Sequence, residues 1–457
     1  MKNILAKQGL KINPQDNCLL TDLYQLTMAA CYAGEEIAEK KASFELFTRN
    51  LPDNFGYLIA MGLEQALEYL EQLNFPPEHI QALRDTEIFG QAPASFWRLL
   101  ESGGFTGDVW AVAEGTAIFP NEPILRIEAP LWQAQIVETY LLNTINYQTL
   151  IATKAARIRD IAGVEAQLLE FGSRRAFSPQ GAVWAARAAL AAGFNGTSNV
   201  LAALKLGEQP RGTMAHALVM AIAATAGSED EAFRAFQQYF PQAPLLIDTY
   251  DPLAAAQRLQ QQAMEGKTIA GVRIDSGDLV ELSQQVQACL PETKIFASGD
   301  LDEWKISRLK HQGAAIAGYG IGTKLVTGVP VNGVYKLVEI DCIPTMKESK
   351  NKISYPGCKQ IYRRLIDGQA QEDRLVLQDE KPQANEHQLL QLVMQGGTKL
   401  QPTPSLEQIR QRTAASVASL PDSVRQINRP ESFTVKISPA LAALQRSVAK
   451  LNPVTSS

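Results

Sequence analysis

Histidine is scarce in this chain, at four residues in 457. None of the four sits in an HxH or HExxH arrangement, and no CxxC accompanies them, which argues against a metal hydrolase or a structural zinc site. Cysteine is sparse too. The five present, Cys18, Cys31, Cys289, Cys342 and Cys358, are odd in number and widely spaced, as free thiols of a reducing compartment are. Positive charge is not in excess: 43 Lys and Arg stand against 48 Asp and Glu, for a net charge of −5. That balance argues against non-specific binding to nucleic acid or to a membrane, so any anion site must be a local cluster of arginines. The longest apolar run, Met214 to Ala224, carries His216 and is too short to cross a bilayer. The N-terminal Met1-Lys2-Asn3-Ile4-Leu5-Ala6-Lys7 lacks the apolar core of a signal peptide, and no segment is of low complexity. A cytoplasmic enzyme is the expectation.

The chain is long enough for two or three domains, and its 46% hydrophobic and 20% charged residues suit a large buried core. Three regions are expected: a mixed α/β N-terminal domain over residues 1–145, an α/β barrel over 146–335, and a C-terminal region over 336–457 that packs back on the others. In the first, Thr21-Asp22-Leu23-Tyr24 opens a helix with Thr21 or Asp22 as cap, and residues 43–48, 107–112 and 123–128 alternate like strands. In the third, a strand is expected at 333–340, a charged turn at Lys347-Glu348-Ser349-Lys350-Asn351-Lys352, and helices at 405–418 and 439–451.

From about residue 165 the rhythm changes. Short apolar runs end in Gly, Ser or Asp, and a helix follows each: residues 168–171 ending at Gly172, 245–247 at Asp248, 272–274 at Asp275, 294–297 at Ser298, and 314–317 near Gly318-Tyr319-Gly320. Two of the helices are punctuated by Ser178-Pro179 with Gly193, and by Asp251-Pro252 with Gly266, a cap and proline at the start and a glycine past the end. A repeated βα unit implies a parallel sheet, and polar residues gathered at strand C-termini fit a barrel with its site on that face. An open doubly wound sheet is the alternative.

The strand ends carry the candidate chemistry. In Arg273-Ile274-Asp275-Ser276-Gly277-Asp278, strand alternation puts Arg273 and Asp275 on one face. Asp278 has two readings, a second acid at the mouth or the cap of the following helix. Ser298-Gly299-Asp300 offers a close backbone approach and a carboxylate for sugar hydroxyls. Gly318-Tyr319-Gly320-Ile321-Gly322-Thr323-Lys324 has the glycines and threonine of a phosphate cradle. Gly172-Ser173-Arg174-Arg175 concentrates positive charge beside Phe171, which can stack on a flat ring. Gly212-Thr213-Met214-Ala215-His216 places a histidine near a hydroxyl and a glycine, a setting for phosphate or a small anion more than for a metal. A mouth of this kind suits a phosphorylated sugar and a small anionic ring.

Taken in order, Thr21-Asp22-Leu23-Tyr24-Gln25-Leu26-Thr27-Met28, Phe171-Gly172-Ser173-Arg174, Gly196-Thr197-Ser198-Asn199, Gly212 to His216, Arg273 to Asp278, Ser298 to Asp300 and Gly320-Ile321-Gly322-Thr323 resemble the nicotinate phosphoribosyltransferase family. The likeness runs from about residue 15 to residue 365. It implies an irregular parallel α/β barrel of the type II phosphoribosyltransferase kind, with a mixed α/β N-terminal domain and a C-terminal extension. It implies formation of nicotinate mononucleotide from nicotinate and phosphoribosyl pyrophosphate (PRPP), with ATP hydrolysis coupled through a phosphohistidine and with Mg2+ accompanying the phosphates. By motif, His216 would be phosphorylated. Tyr24 and Phe171 would flank the pyridine ring, and Arg273 and Thr213 would hold nicotinate with Arg174 nearby. Asp275, Ser298, Gly299 and Asp300 would surround the ribose and pyrophosphate, and Gly320, Gly322 and Thr323 the 5′-phosphate. The family forms homodimers in which Tyr24 would serve the partner's site. Ser198 stands where nicotinamide-using relatives carry an aspartate, which favours a carboxylate substrate. Nicotinamide- or quinolinate-using enzymes of this fold and an inactive binding homologue are the alternatives. A sugar-phosphate aldolase is a further one, with Lys294 as its candidate Schiff-base lysine.

Overall fold

The structure, a computed structural model, describes residues 9–347 and 354–451. The first eight residues, the charged turn beyond Lys347 and the last six residues lie outside the described residues. The chain divides into two compact units, one of residues 1–150, 330–405 and 415–457, the other of residues 151–329 and 406–414.

The second unit is built on six parallel strands. Across the sheet they run Gly196–Thr197, Gln167–Glu170, Gly318–Ile321, Ile295–Ala297, Val272–Ile274 and Leu245–Leu246. Between strands the chain returns through helices, among them Pro179–Ala191, Pro252–Met264, Leu279–Cys289 and Glu303–His311. Their starts follow from local chemistry. Ser178 Oγ accepts the Gly181 N–H at 2.9 Å, and Asp251 accepts those of Leu253 and Ala254 at 3.0 Å. Asp278 accepts from Val280 and Glu281 at 3.0 and 3.2 Å, so of its two readings the cap is the correct one. Each such cap is worth about 1 kcal/mol.

The two end strands of this order share no ladder. The segment Arg211-Gly212-Thr213-Met214 runs between them: the Arg211 N–H donates to Thr197 O at 2.8 Å and Thr213 Oγ1 to Pro244 O at 2.6 Å. Closure by coil in place of backbone pairing makes this an irregular α/β barrel, not an open doubly wound sheet. Two details differ from the sequence reading. The last strand is Gly318–Ile321, not residues 314–317, so Gly318 and Gly320 belong to the strand and the turn begins at Gly322. Gly196–Thr197, read only as a motif, is an edge strand.

The first unit is mainly antiparallel. Seven strands run in the order Ile343–Pro344, Val334–Ile340, Lys41–Phe47, Pro123–Pro130, Asp108–Val112, Leu390–Gln395 and Thr398–Lys399. A second sheet joins Glu386–Gln388, Lys359–Ile366, Gln369–Leu377 and Val435–Ile437. Helix Leu23–Gly34, with Asp22 at its N-cap position, carries Tyr24 on an exposed face. The helices expected near residues 405–418 and 439–451 are present as Leu406–Ser419 and Pro439–Leu451.

Candidate active site

Strand alternation explains the site. Val272 and Ile274 are buried beneath helices, so Arg273 and Asp275 face the barrel interior. The pairing Ile274 with Ala297, and Ala297 with Tyr319, continues one step to place Asp275, Ser298 and Gly320 in one inward row. The side chains confirm the row. Ser298 Oγ donates to Asp275 Oδ1, and Asp248 Oδ2 accepts the Asp275 N–H at 2.7 Å and Ser276 Oγ at 2.8 Å. Asp248, noted in the sequence only as a strand end, is thus a member of the site. The cue was present, because Asp248 ends its strand as Asp275 ends the next.

Arg273 is the central cation. Its guanidinium lies 5.9 Å from the centroid of the Phe171 ring, and its Nη2 donates to Met214 O at 3.0 Å. Its Nε is buried with no hydrogen-bond partner. Burial lowers its pKa, Asp275 and Asp248 act against that, and the positive charge of Arg174 adds to it. The guanidinium stays charged regardless. Arg174 itself is exposed. Two further buried atoms at this mouth have no partner, Asp248 Oδ1 and Ser173 Oγ. Unpaired polar atoms of this kind are costly unless a ligand meets them.

The glycines of the mouth have specific reasons. A Cβ on Gly320 would stand 2.4 Å from the Phe171 ring, so this glycine lets the ring lie flat against the strand. Gly299 has φ +91° and a Cβ there would meet Asp275 O at 2.2 Å. Asp300 follows with φ 48°, also left-handed, so the turn after Ser298 holds backbone strain next to the acids. Gly322 is the N-cap of a short helix, Thr323–Val326.

His216 opens helix His216–Ala226, half-buried, with Nδ1 3.1 Å from Thr249 Oγ1. Thr249, the residue after Asp248, was not anticipated as its partner. Thr213 spends its hydroxyl on Pro244 O, as described above. The barrel unit therefore brings together Phe171, Arg174, Thr213, His216, Arg273, Asp275, Ser298, Gly299, Asp300, Gly320, Gly322 and Thr323. Tyr24 belongs to the other unit. Lys294 is exposed at the N-terminal end of its strand, opposite the mouth, which removes the aldolase reading.

A parallel barrel whose carboxyl mouth joins an arginine with an unpartnered Nε, an aromatic face and a row of acids and glycines suits an anionic ring beside a phosphorylated sugar. Its class is that of the irregular-barrel phosphoribosyltransferases. Sequence models of three domains match in order: the nicotinate phosphoribosyltransferase N-terminal domain at residues 19–146, the nicotinate phosphoribosyltransferase family at 166–367 and its C-terminal domain at 383–445. The chain is 38% identical to the nicotinate phosphoribosyltransferase of Bacillus subtilis, with 92% of each protein covered. The crystal structure of human nicotinic acid phosphoribosyltransferase superposes with a TM-score of 0.80 at 30% identity, covering 94% of this chain and all of that one. A nicotinate-nucleotide pyrophosphorylase from Pyrococcus furiosus gives a TM-score of 0.74 at 26% identity, over 90% of this chain and 98% of the other. The chain belongs to the nicotinate phosphoribosyltransferase family, an enzyme family of NAD biosynthesis.

Proposed function

We propose that the chain joins nicotinate to the phosphoribosyl group of PRPP, releasing pyrophosphate, and couples the step to ATP hydrolysis through a phosphate on His216. The observation that carries this reading is Arg273, half-buried with its Nε buried and unpartnered, beside the Phe171 ring and the Asp275 row. A nicotinate carboxylate supplies the missing acceptor, and Phe171 one face for its ring. Thr213 and Arg174 border the same subsite, and Tyr24 of the partner subunit supplies the second aromatic face. The pyridine nitrogen attacks C1 of the ribose as the bond from C1 to the pyrophosphate oxygen breaks, the electron pair leaving with pyrophosphate. Positive charge develops at C1, and the fixed carboxylates of Asp275 and Asp248 stabilise it. Ser298, Gly299 and Asp300 position the ribose and leaving group, and Gly320, Gly322 and Thr323 the 5′-phosphate. The pyridine nitrogen is already a nucleophile, so no strong base is required.

Mg2+ fits this arrangement. Among the described residues no group of three or more His, Cys, Asp or Glu is placed to hold a metal ion. The unpartnered Asp248 Oδ1 and the adjacent Asp275 offer the one or two hard oxygen donors that Mg2+ takes beside substrate phosphates. Bound there it would neutralise charge on the pyrophosphate. The active form is a homodimer with sites shared through Tyr24. The exposed Leu23 and Tyr24 of one unit, and the exposed Phe177, Val200, Leu201 and Leu204 of the other, support that reading. The enzyme resides in the cytoplasm, in keeping with five free cysteines. No described helix is long and apolar enough to cross a membrane.

The decisive assay supplies nicotinate, nicotinamide or quinolinate with PRPP, with and without ATP. Nicotinate is expected to react best, and ATP to raise the product yield. Label from γ-labelled ATP should appear on the wild-type protein and be lost in His216→Ala, which should still transfer phosphoribosyl groups. Label retained in His216→Ala, on His79, His311 or His387, overturns the His216 assignment.

A further inference from the structure

Glu170 is fully buried, and no basic side chain pairs with it among the described residues. It alternates with Leu169 and Phe171, so its side chain points away from the barrel mouth into the layer behind the sheet. There it makes contacts in two directions. One carboxylate oxygen accepts the Gly172 N–H, and the other accepts Thr197 Oγ1 at 2.5 Å. The Glu170 backbone carbonyl accepts the Ser198 N–H at 3.0 Å, and Thr197 Oγ1 accepts the Asn199 N–H at 2.9 Å. One residue thus ties the turn that follows Phe171 to the end of the neighbouring edge strand. The two residues next to these ties, Phe171 and Ser198, face the mouth by alternation.

Burial raises the pKa of this carboxyl group, and the hydrogen bonds from Thr197 and Gly172 pull it back down. A carboxylate placed here without a cation is a poor device for stability, since an apolar side chain would avoid the desolvation cost. Its geometry serves alignment instead.

We propose that Glu170, acting through Gly172 and Thr197, is a positioning residue that fixes Phe171 and Ser198 relative to each other, and so governs both the hold on the pyridine ring and the choice of nicotinate over nicotinamide. The proposal rests on the reading of Phe171 as the ring contact. Its test leaves the site side chains in place. Thr197→Val removes one tie with little change of shape, Thr197→Ser restores the hydroxyl, and Glu170→Gln replaces an acceptor by a donor. Thr197→Val should raise the KM for nicotinate about tenfold and lower the preference over nicotinamide by a similar factor. The KM for PRPP and kcat should stay within about twofold, and Thr197→Ser should behave as wild type. Glu170→Gln should move the same constants in the same direction, and if it does not fold, the Thr197 pair decides. Equal rises in both KM values, or a lowered Tm with unchanged nicotinate KM, overturn the proposal. Phe171→Ala, measured alongside, separates the two ideas. If it leaves the nicotinate KM unchanged, the ring reading fails. If it raises that KM while Thr197→Val does not, only the Glu170 proposal fails.

Discussion

The two units bury arginines in opposite ways. In the antiparallel unit, Arg363 is fully engaged: Nε and Nη2 meet the two oxygens of Asp373 at 2.9 and 2.6 Å, and Nη2 also reaches Ala117 O at 2.8 Å. The rings of Phe119 and Phe433 lie 5.3 and 5.9 Å from its guanidinium. Arg126 in the same unit likewise spreads its nitrogens over Glu128, Lys359 O and Gln378. Arg273 in the barrel is only half-buried, with its Nε shut off from solvent, and it has a single backbone acceptor and no ion-pair partner among the described residues. Its nearest acids, Asp275 and Asp248, direct their hydrogen-bonded oxygens to Ser298, Ser276 and a backbone amide and not to the guanidinium. A saturated arginine stabilises its unit, whereas an arginine left short of acceptors is a binding device whose cost the rest of the fold carries.

Breaking the saturated pair should give the largest effect. Arg363→Ala leaves Asp373 buried and unpaired and should lower folding stability by about 3–5 kcal/mol. Denaturant unfolding would read this as a large drop in midpoint. The nicotinate KM of the protein that remains folded should stay at its wild-type value. A shift below about 1 kcal/mol would show that the pair, however well formed, is not structural in the sense argued.

Removing the unsaturated arginine should do the reverse. Arg273→Ala should cost nicotinate binding about 1.5–3 kcal/mol, roughly ten- to a hundred-fold in KM, with little loss of stability. Nicotinamide, which carries no charge, should lose less. Equal losses for the two substrates would count against Arg273 as the carboxylate reader, and a large fall in midpoint would erase the contrast with Arg363.

The same contrast shows what could be read from the residues alone. The barrel is legible because its signals are local. Each strand is a short apolar run closed by Asp, Ser or Gly, each helix begins at its own cap, and alternation alone turns Arg273 and Asp275 inward. The antiparallel sheet is less legible, because Lys41–Phe47 pairs with Val334–Ile340 across more than half the length of the chain and no local pattern encodes that register. Within the site, inward residues at strand ends were readable, and those behind the sheet were not. Glu170 sits inside the run Leu168-Leu169-Glu170-Phe171, where a lone acid in an apolar strand was its only signal. Thr249 escaped because its contact with His216 depends on how the segment between the end strands folds back. Gly320 looked like part of a phosphate turn, while its strand position reflects the Phe171 ring against it.

The smallest effect probes how the antiparallel unit balances its own charges. Glu122 is fully buried near Asp373 and Arg363, and its pKa is raised well above the ordinary value of 4.5, first by burial and then by the negative charge of Asp373. One of its oxygens accepts the Phe119 N–H at 2.9 Å, and a proton on the carboxyl lets it donate toward Asp373. The cluster is then one cation, one anion and one neutral acid. The sign of the pH dependence follows directly. Above pH 4.5 an unfolded Glu122 has lost its proton while the folded one keeps it, so the folded chain binds more protons and stability falls as the pH rises toward the elevated value. Below 4.5 both states are protonated and this loss is absent. Glu122→Gln keeps a donor and an acceptor and has no proton to lose. It should flatten the decline above pH 4.5 and leave stability at pH 7 equal to wild type or higher by about 1 kcal/mol. Unfolding midpoints across that range measure it. A variant with an unchanged slope would mean that Glu122 is ionised in the folded protein, and that Arg363 answers two anions and not one.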